Sequence, residues 1–350
     1  MNTYRITINP ISPFATPLHS DTIFGQCMWL LKFMRGTEFL NTFINDIKEN
    51  KKYFVVSAGF IDDEILLPMI PMHLAREEEI KTEFIKRLTN DEKIKKDFLF
   101  YLFKKKNKQK KLKIKELFDN LEQSIDYFYG LKEDKKEDKI DNFLDMIRKN
   151  EKRKDKSISK EESVMRNRIN RLSNRVDEGA LFTSSYTFYV KDVDISIYIK
   201  TNCFTIDEVK ELFTNLGNYG FGADSSIGKG LFIVKEVKDM TNEIKKISNP
   251  NFILSLSNYI PNDDEIDMEQ SFYSVFLKQG KLGGEYATGI GSNVRSYVKI
   301  PLLMIQNNSL LKIKKEKEVY GKIEAEINRY DKNIIQSGQT FDIKLLIKEV

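Results

Sequence analysis

Alternating apolar and polar positions predict a strand over residues 4–9, which stops at Pro10. Ser20 and Asp21 precede a run that is apolar on nearly every side, and this predicts a buried helix from residue 20 to about residue 34. A second strand is predicted over residues 53–61. An amphipathic helix over 205–216 and a strand over 231–237 follow later. Residues 181–190 and 193–201 alternate as two strands, so we expect a hairpin around Lys191 and Asp192.

The order of these elements, strand, helix, strand, strand, helix, strand, is the βαββαβ pattern of ferredoxin-like and RNA-recognition modules. Beyond residue 240 the apolar pattern predicts mainly strands, at 252–259, 271–279, 298–305, 310–314 and 341–347. Residues 316–330 form either a charged helix or an extended arm. We therefore expect an α+β protein with two ferredoxin-like domains, residues 1–240 and a more β-rich 241–350.

Residues 76–163 differ in composition from the rest of the first domain. Eight lysines fall within residues 104–115, and apolar residues recur at the spacing of short charged helices. We interpret this segment as a lysine-rich helical insertion with solvated faces. Contact of its lysines with nucleic acid is the weaker alternative.

Composition limits the class of protein. The chain has 350 residues, 57 basic against 52 acidic side chains and a net charge of +5, so only the distribution of charge can identify a polyanion-binding surface. The two cysteines, Cys27 and Cys203, lack metal-site spacing and fit reduced thiols. No run has membrane-spanning length and no signal peptide is evident. We expect a cytoplasmic protein that does not contact a membrane.

Residues 220–230, Gly-Phe-Gly-Ala-Asp-Ser-Ser-Ile-Gly-Lys-Gly, form a glycine-rich loop that offers backbone N–H groups, hydroxyls and one ammonium group. The spacing excludes a P-loop and a dinucleotide fingerprint, and both of those motifs lead from a strand into a helix. Here the loop leads from a helix into a strand. We interpret it as a clamp on an extended polyanion, with an ordinary surface turn as the alternative.

Residues 166–175, Arg-Asn-Arg-Ile-Asn-Arg-Leu-Ser-Asn-Arg, hold four of the 12 arginines of the chain and no carboxylate. Guanidinium groups grip phosphate through two donors and stack on bases, which ammonium groups do not do. Contact with a nucleic-acid backbone is the favoured interpretation. The alternative is a charged surface that pairs with Asp177, Glu178 or the insertion.

Candidates for catalysis are few. The only histidines are His19 and His73, and no metal-binding or cofactor signature is present. His19 precedes a predicted helix N-terminus, where it could contact RNA or act as a general acid or base in RNA cleavage. A structural or RNA-contacting role is favoured over catalysis, and no cofactor or metal is expected.

Three motifs in order, Ser12-Pro-Phe-Ala-Thr-Pro-Leu-His-Ser-Asp-Thr-Ile-Phe-Gly25, then 166–171 with Gly179-Ala-Leu-Phe182, then 220–230, resemble the RAMP superfamily of CRISPR proteins. Within it they are most similar to the subunit-four family of type III-A Csm interference complexes. The resemblance implies a non-catalytic subunit that holds the 5′ tag of the guide RNA (crRNA). It also implies contact with the large polymerase/nuclease subunit and with a backbone RAMP subunit.

The resemblance and the loops together predict a set of RNA contacts. They are Ser12, Thr16, His19, Ser20, Asp21, Arg166, Asn167, Arg168, Asn170, Arg171, Arg175, Gly220, Gly222, Ser225, Ser226, Gly228, Lys229, Gly230 and Arg295. Two rival functions remain open at this point. One is a RAMP endoribonuclease that processes guide-RNA repeats through His19, and the other is a protein-interaction scaffold whose basic segments meet acidic partners.

Overall fold

The computed structural model describes residues 1–66, 70, 111–124, 158–170, 172–262, 264–284, 286 and 297–348. The helices among them are α1 (Ser20–Arg35), α2 (Thr37–Lys48), α3 (Ile114–Asp119) and α4 (Ile206–Tyr219). The strands are β1 (Asn2–Pro10), β2 (Phe54–Val56), β3 (Phe60–Ile61), β4 (Glu64–Leu66), β5 (Lys111–Lys113), β6 (Glu122–Ser124), β7 (Ser159–Asn170), β8 (Arg175–Tyr189), β9 (Ile195–Thr201), β10 (Phe232–Asp239), β11 (Phe252–Ser255), β12 (Ile266–Phe272), β13 (Val275–Lys278), β14 (Leu302–Ile305), β15 (Leu310–Ile313), β16 (Ile323–Glu324), β17 (Gln336–Ser337) and β18 (Asp342–Lys348). The predicted α+β class is confirmed.

The first sheet has the strand order β10–β1–β9–β2, with β3 also paired to β9, and all its pairs are antiparallel. Along the chain its elements run β1, α1, β2, β9, α4, β10. Alternation on β1 turns Tyr4, Ile6 and Ile8 toward one buried core, which they share with α1 and α4. Phe14 and Phe221 also belong to this core, so it anchors the loop from β1 to α1 and the loop from α4 to β10.

A second sheet, in the order β12–β15–β11–β18–β6, packs against the other face of the first. The Tyr198 ring of β9 lies between the rings of Phe118 on α3 and Phe341, at centroid distances of 5.6 and 5.5 Å. Strand β6 pairs in parallel with β18. The described parts of the predicted insertion are residues 111–124 and 158–163. Helix α3 is a short helix with Lys115 and Glu116 exposed, as expected, but its other face, Leu117 and Phe118, lies in the core between the sheets. Residues 159–163 belong to strand β7, so the expectation of a helix is wrong there.

The predicted hairpin of residues 181–190 with 193–201 is also wrong. Strand β8 pairs instead with β7 in a separate two-stranded ribbon, with Arg166 opposite Phe182 and Glu162 opposite Tyr186. Strand β9 is buried on both faces and pairs with β1 and β2 in the first sheet. Two neighbouring alternating segments carry the same local signal whichever partner they have, so burial decides the pairing.

The elements described after β10 are strands, and some predicted strands divide. The segment predicted as one strand at 271–279 contains the end of β12 and all of β13, which belong to different sheets. Residues 316–330 are irregular backbone with bends and the short strand β16, so the helical alternative is not observed. No helix among the described residues has the length and apolar character needed to cross a membrane.

Candidate nucleic-acid interface

Two loops that lie far apart in the sequence meet where β1 and β10 pair. The Ser12 hydroxyl accepts a hydrogen bond from the backbone N–H of Leu231 at 2.8 Å, and the Thr16 hydroxyl accepts one from the N–H of Ala223 at 2.9 Å. The N–H of Gly230 donates to the carbonyl of Pro13 at 2.9 Å. The loop before α1 and the glycine-rich loop after α4 thus form one joined surface.

The glycines of this surface are required by close contacts and by backbone shape. Gly222 has φ +83° and an added Cβ would lie 2.5 Å from Thr16 Cβ, while at Gly230 it would lie 2.0 Å from the Phe221 carbonyl oxygen. Gly220 and Gly228 also have positive φ. Ser225 and Ser226 lie in a short 3₁₀ turn, Ser225–Ile227, which Gly228 ends. Ser226 and Gly228 are exposed. The loop has a defined shape that presents small polar groups to solvent.

The arginine-rich ribbon joins the glycine-rich loop through one carboxylate. Asp224 Oδ2 accepts hydrogen bonds from Arg166 Nη1 at 3.1 Å and from the Tyr186 hydroxyl at 2.7 Å. The guanidinium carbon of Arg166 lies 5.2 Å from the Tyr186 ring centroid, and Lys229 Nζ lies 5.1 Å from it. We call these four residues, Arg166, Tyr186, Asp224 and Lys229, the junction.

Charge at the junction is set by burial and by the carboxylate. Desolvation, together with the hydrogen bond to Asp224, raises the pKa of Tyr186, which therefore remains a neutral donor at physiological pH. Tyr186 is 2% exposed, whereas the side chains of Arg166 and Asp224 retain 24% and 32% of their surface. The Tyr186 ring at the junction is thus buried, whereas solvent can reach the two cationic side chains, Arg166 and Lys229, that lie over it.

The outer part of the ribbon is open to solvent. Asn167 and Arg175 are exposed, as are Met165, Leu181 and Phe182 beside them. Asn170 Oδ1 accepts hydrogen bonds from the N–H groups of Leu172 and Ser173, so Asn170 shapes the turn. Of the other predicted arginines, Arg171 and Arg295 lie outside the described residues, and for Arg168 only the backbone is described.

His19, Ser20 and Asp21 form a second polar group at the start of α1, and two of these predicted RNA contacts are enclosed. The Ser20 hydroxyl accepts from the N–H of Asn258, and Asp21 accepts from Asn258 Nδ2 and from Gln336 Nε2 at 2.9 and 2.7 Å. Ser20 and Asp21 are 4% and 5% exposed, so their side chains join α1 to the β-rich half and present no surface to RNA. Helix α1 begins at Ser20, and His19 is its N-cap residue without a side-chain cap.

A lysine sets the charge of this group. Burial opposes ionisation of Asp21, but Lys278 at 2.9 Å and the hydrogen bonds hold its pKa below the ordinary value. Burial, and then the charge of Lys278, lower the pKa of His19, whose Nδ1 lies 3.4 Å from Lys278 Nζ. His19 is therefore neutral at physiological pH, and Asp21 is engaged by its own partners. Among the described residues no cluster of three or more His, Cys, Asp or Glu could hold a metal ion.

Two junction residues, Tyr186 and Asp224, were missed by reasoning from the sequence. Asp224 stood inside the glycine-rich loop, but a carboxylate there did not suggest a partner. Tyr186 was one of several aromatic residues in an alternating strand, and nothing local distinguished it. Tyr186 and Asp224 are recognised as site residues only once β8 is seen to pair with β7 in a separate ribbon.

The chain matches no protein-family model, and a search of curated proteins gives no significant match. Among solved structures, it is similar to a chain of the Csm3–Csm4 subcomplex of the type III-A CRISPR-Cas interference complex, at 16% identity and a TM-score of 0.50 over 99% of each chain. It is also similar to chains of the Csm1–Csm4 cassette in complex with AMPPNP and with cA4, at 13% and 14% identity, TM-scores of 0.52 and full coverage of both chains. These likenesses establish the fold: over its whole length the chain shares its fold with a chain of the Csm3–Csm4 subcomplex and with chains of the Csm1–Csm4 cassette.

Proposed function

We propose that the chain is a non-catalytic, RNA-binding subunit of a type III-A CRISPR interference complex and corresponds to Csm4. In this role it holds the 5′ tag of the guide RNA and bridges the large polymerase/nuclease subunit, Csm1, to the backbone RAMP subunit, Csm3. Csm4 is the component that the two kinds of similar assembly have in common, and the likeness extends over the whole chain. The motifs of the sequence resemble the same family.

The proposal includes a finer description of the fold as two ferredoxin-like domains. The first sheet supports the first domain, because its strands and helices follow one another as βαββαβ and the fourth strand lies beside the first. The second domain would be built on the sheet of β11, β12, β15 and β18. Strand β6 adds to its edge from the insertion.

One observation carries RNA binding. The arginine-rich ribbon and the glycine-rich loop meet at the junction, although 58 positions separate Arg166 from Asp224. The N–H groups of Ala223 and of residues 227–230 already donate within the protein, so the groups that can face a ligand are mainly side chains. They are the Arg166 guanidinium, the Lys229 ammonium, the Tyr186 phenol and the hydroxyl of the exposed Ser226. Such a set contacts the sugar–phosphate backbone of an unpaired strand, which is how single-stranded RNA is held.

The test uses the full chain and labelled guide RNA that carries the tag. We expect Arg166→Ala to weaken binding about tenfold, because a charge-assisted contact to phosphate is lost. Arg329→Ala is the matched control, since Arg329 is an exposed arginine of the β-rich half. Equal binding by Arg166→Ala and wild type would contradict the proposed site, and failure of the wild type to bind the RNA even at low salt would favour a protein scaffold.

The same preparation tests the absence of catalysis. Incubation with repeat RNA should leave it intact, because the neutral His19 has Lys278 as its near neighbour and Asp21 is tied to Lys278, Asn258 and Gln336. Site-specific cleavage that disappears in His19→Ala would instead establish an endoribonuclease.

A further inference from the structure

Asp224 occupies the centre of the junction as an internal anion. One of its oxygens, Oδ2, accepts from both Arg166 and Tyr186, and Lys229 lies over the ring of the same tyrosine. One cation thus contacts the carboxylate and the second lies over the tyrosine that the carboxylate holds. Counted over the four junction residues, two positive charges stand against one negative charge.

A carboxylate oxygen and a phosphodiester oxygen are equivalent acceptors for guanidinium and phenol donors. The position of Asp224 Oδ2 is therefore one that a phosphate oxygen can take with the same two hydrogen bonds. Asp224 and Arg166 both keep part of their side-chain surface in solvent, so an incoming strand can reach them.

We propose that Arg166, Tyr186 and Lys229 form a phosphodiester-binding site, and that Asp224 fills this site until RNA displaces its carboxylate. The inference rests on the proposed RNA-binding function and assigns one phosphate of the RNA to a defined set of donors. Asp224 lowers the affinity of the site, since its displaced carboxylate stays close to the phosphate that replaces it. An RNA strand that contacts only this site binds weakly because it competes with the Asp224 carboxylate. An RNA strand that also contacts the glycine-rich loop gains enough affinity to displace that carboxylate.

The backbone at Asp224 makes a clean variant available. Its φ is +62°, in the left-handed region that Asn also tolerates. Its backbone carbonyl accepts from the N–H groups of Ile227 and Lys229, which a side-chain change leaves in place. Asp224→Asn also keeps a side-chain carbonyl for Tyr186, removes the charge and replaces the other oxygen with an amide NH2 group.

The experiment measures binding of a short, labelled, single-stranded oligoribonucleotide to the full chain by fluorescence anisotropy, with circular dichroism to verify folding. Asp224→Asn should bind about two to five times more tightly than wild type, the range expected for loss of one partly exposed competing charge. Glu316→Gln is the control. Glu316 pairs with Lys344 in the β-rich half, so this variant breaks an ion pair and changes the net charge equally.

The double variant Arg166→Ala/Asp224→Asn isolates the site. The gain from Asp224→Asn should vanish when Arg166 is absent, because both changes act on the same contact. Unchanged or weaker binding by Asp224→Asn overturns the inference, and so does a gain that persists without Arg166 or that Glu316→Gln reproduces. If Arg166→Ala weakens binding in those cases, the proposed function stands alone, whereas an inert Arg166→Ala removes both.

Discussion

Lys299 is a buried lysine whose charged form is destabilised by burial. Its ammonium group donates to the Ile335 carbonyl at 3.0 Å and to Gln336 Oε1 at 2.7 Å. Burial lowers its pKa to about 8, and the charge of Lys278 adds to this effect while Asp21 opposes it. Lys278 and Lys299 are therefore two cations near the one carboxylate of Asp21.

The depressed pKa makes a pH-dependent prediction at this residue. Between pH 8 and about 10 the folded chain has released the Lys299 proton while the unfolded chain still binds it, so the free energy of unfolding rises with pH. The free energy of unfolding of wild type minus that of Lys299→Met should rise by up to about 3 kcal/mol from pH 7 to pH 10, because only wild type gains stability from this lysine. Urea unfolding at each pH measures it, with Lys314→Met as the control for net charge. A flat difference would show that the lysine is solvated.

At the scale of the element, α4 positions the glycine-rich loop. Thr205 is its N-cap: the threonine side chain accepts from the N–H of Glu208, and the glutamate side chain accepts from the N–H of Thr205. The helix ends at Tyr219, and the N–H of its C-cap residue, Gly220, donates to the Leu216 carbonyl. Because the helix leads directly into the loop, its ends determine where the loop begins.

Loss of this cap should be measurable. Thr205→Ala should lower the free energy of unfolding by about 1 kcal/mol, because the N–H of Glu208 loses its acceptor. Thr214→Ala, an exposed threonine of the same helix that donates to the Lys210 carbonyl, is the control and should change stability far less. Equal effects in thermal unfolding would mean that the capping box contributes nothing.

At the scale of the whole molecule, the two sheets share one core, and residues 111–124 complete it. Leu117 and Phe118 on α3 are 0% and 2% exposed, beside Tyr198 of the first sheet and Phe341 of the second half. The polar group of Asp21, Asn258 and Gln336 is a second connection between the halves. The two sheets that support the junction are therefore packed against each other through these contacts.

Phe118 tests this packing. Phe118→Ala should lower the free energy of unfolding by about 3–5 kcal/mol, since it removes a buried ring between the sheets. Phe33→Ala is the control, because Phe33 is 61% exposed, and it should cost less than about 1 kcal/mol. A Phe118 variant as stable as the control would indicate that residues 111–124 are not part of the core.

Local periodicity was a sound guide where one segment contains its own signal. Strand β1, helices α1 and α4 and strand β10 lie close to their predicted bounds. The failures share a cause. The predicted hairpin of 181–190 with 193–201 is wrong, and the burial of Leu117 and Phe118 within the insertion was not predicted, because a strand or short helix does not encode which distant element will cover it. The hydrogen bonds that join the loop before α1 to the glycine-rich loop were not predicted, because the two loops lie more than 200 positions apart.

The sequence by itself determined the α+β class, the elements with clear periodicity and the residues with the chemistry to hold a polyanion: the arginines of 166–175 and the glycines and serines of 220–230. These properties depend on neighbours along the chain. Only the tertiary structure decided that Ser20 and Asp21 are enclosed, that β8 pairs with β7, and that Asp224 and Tyr186 meet Arg166. Such contacts join positions tens to hundreds of residues apart, and their geometry is set by how the sheets pack rather than by any local pattern.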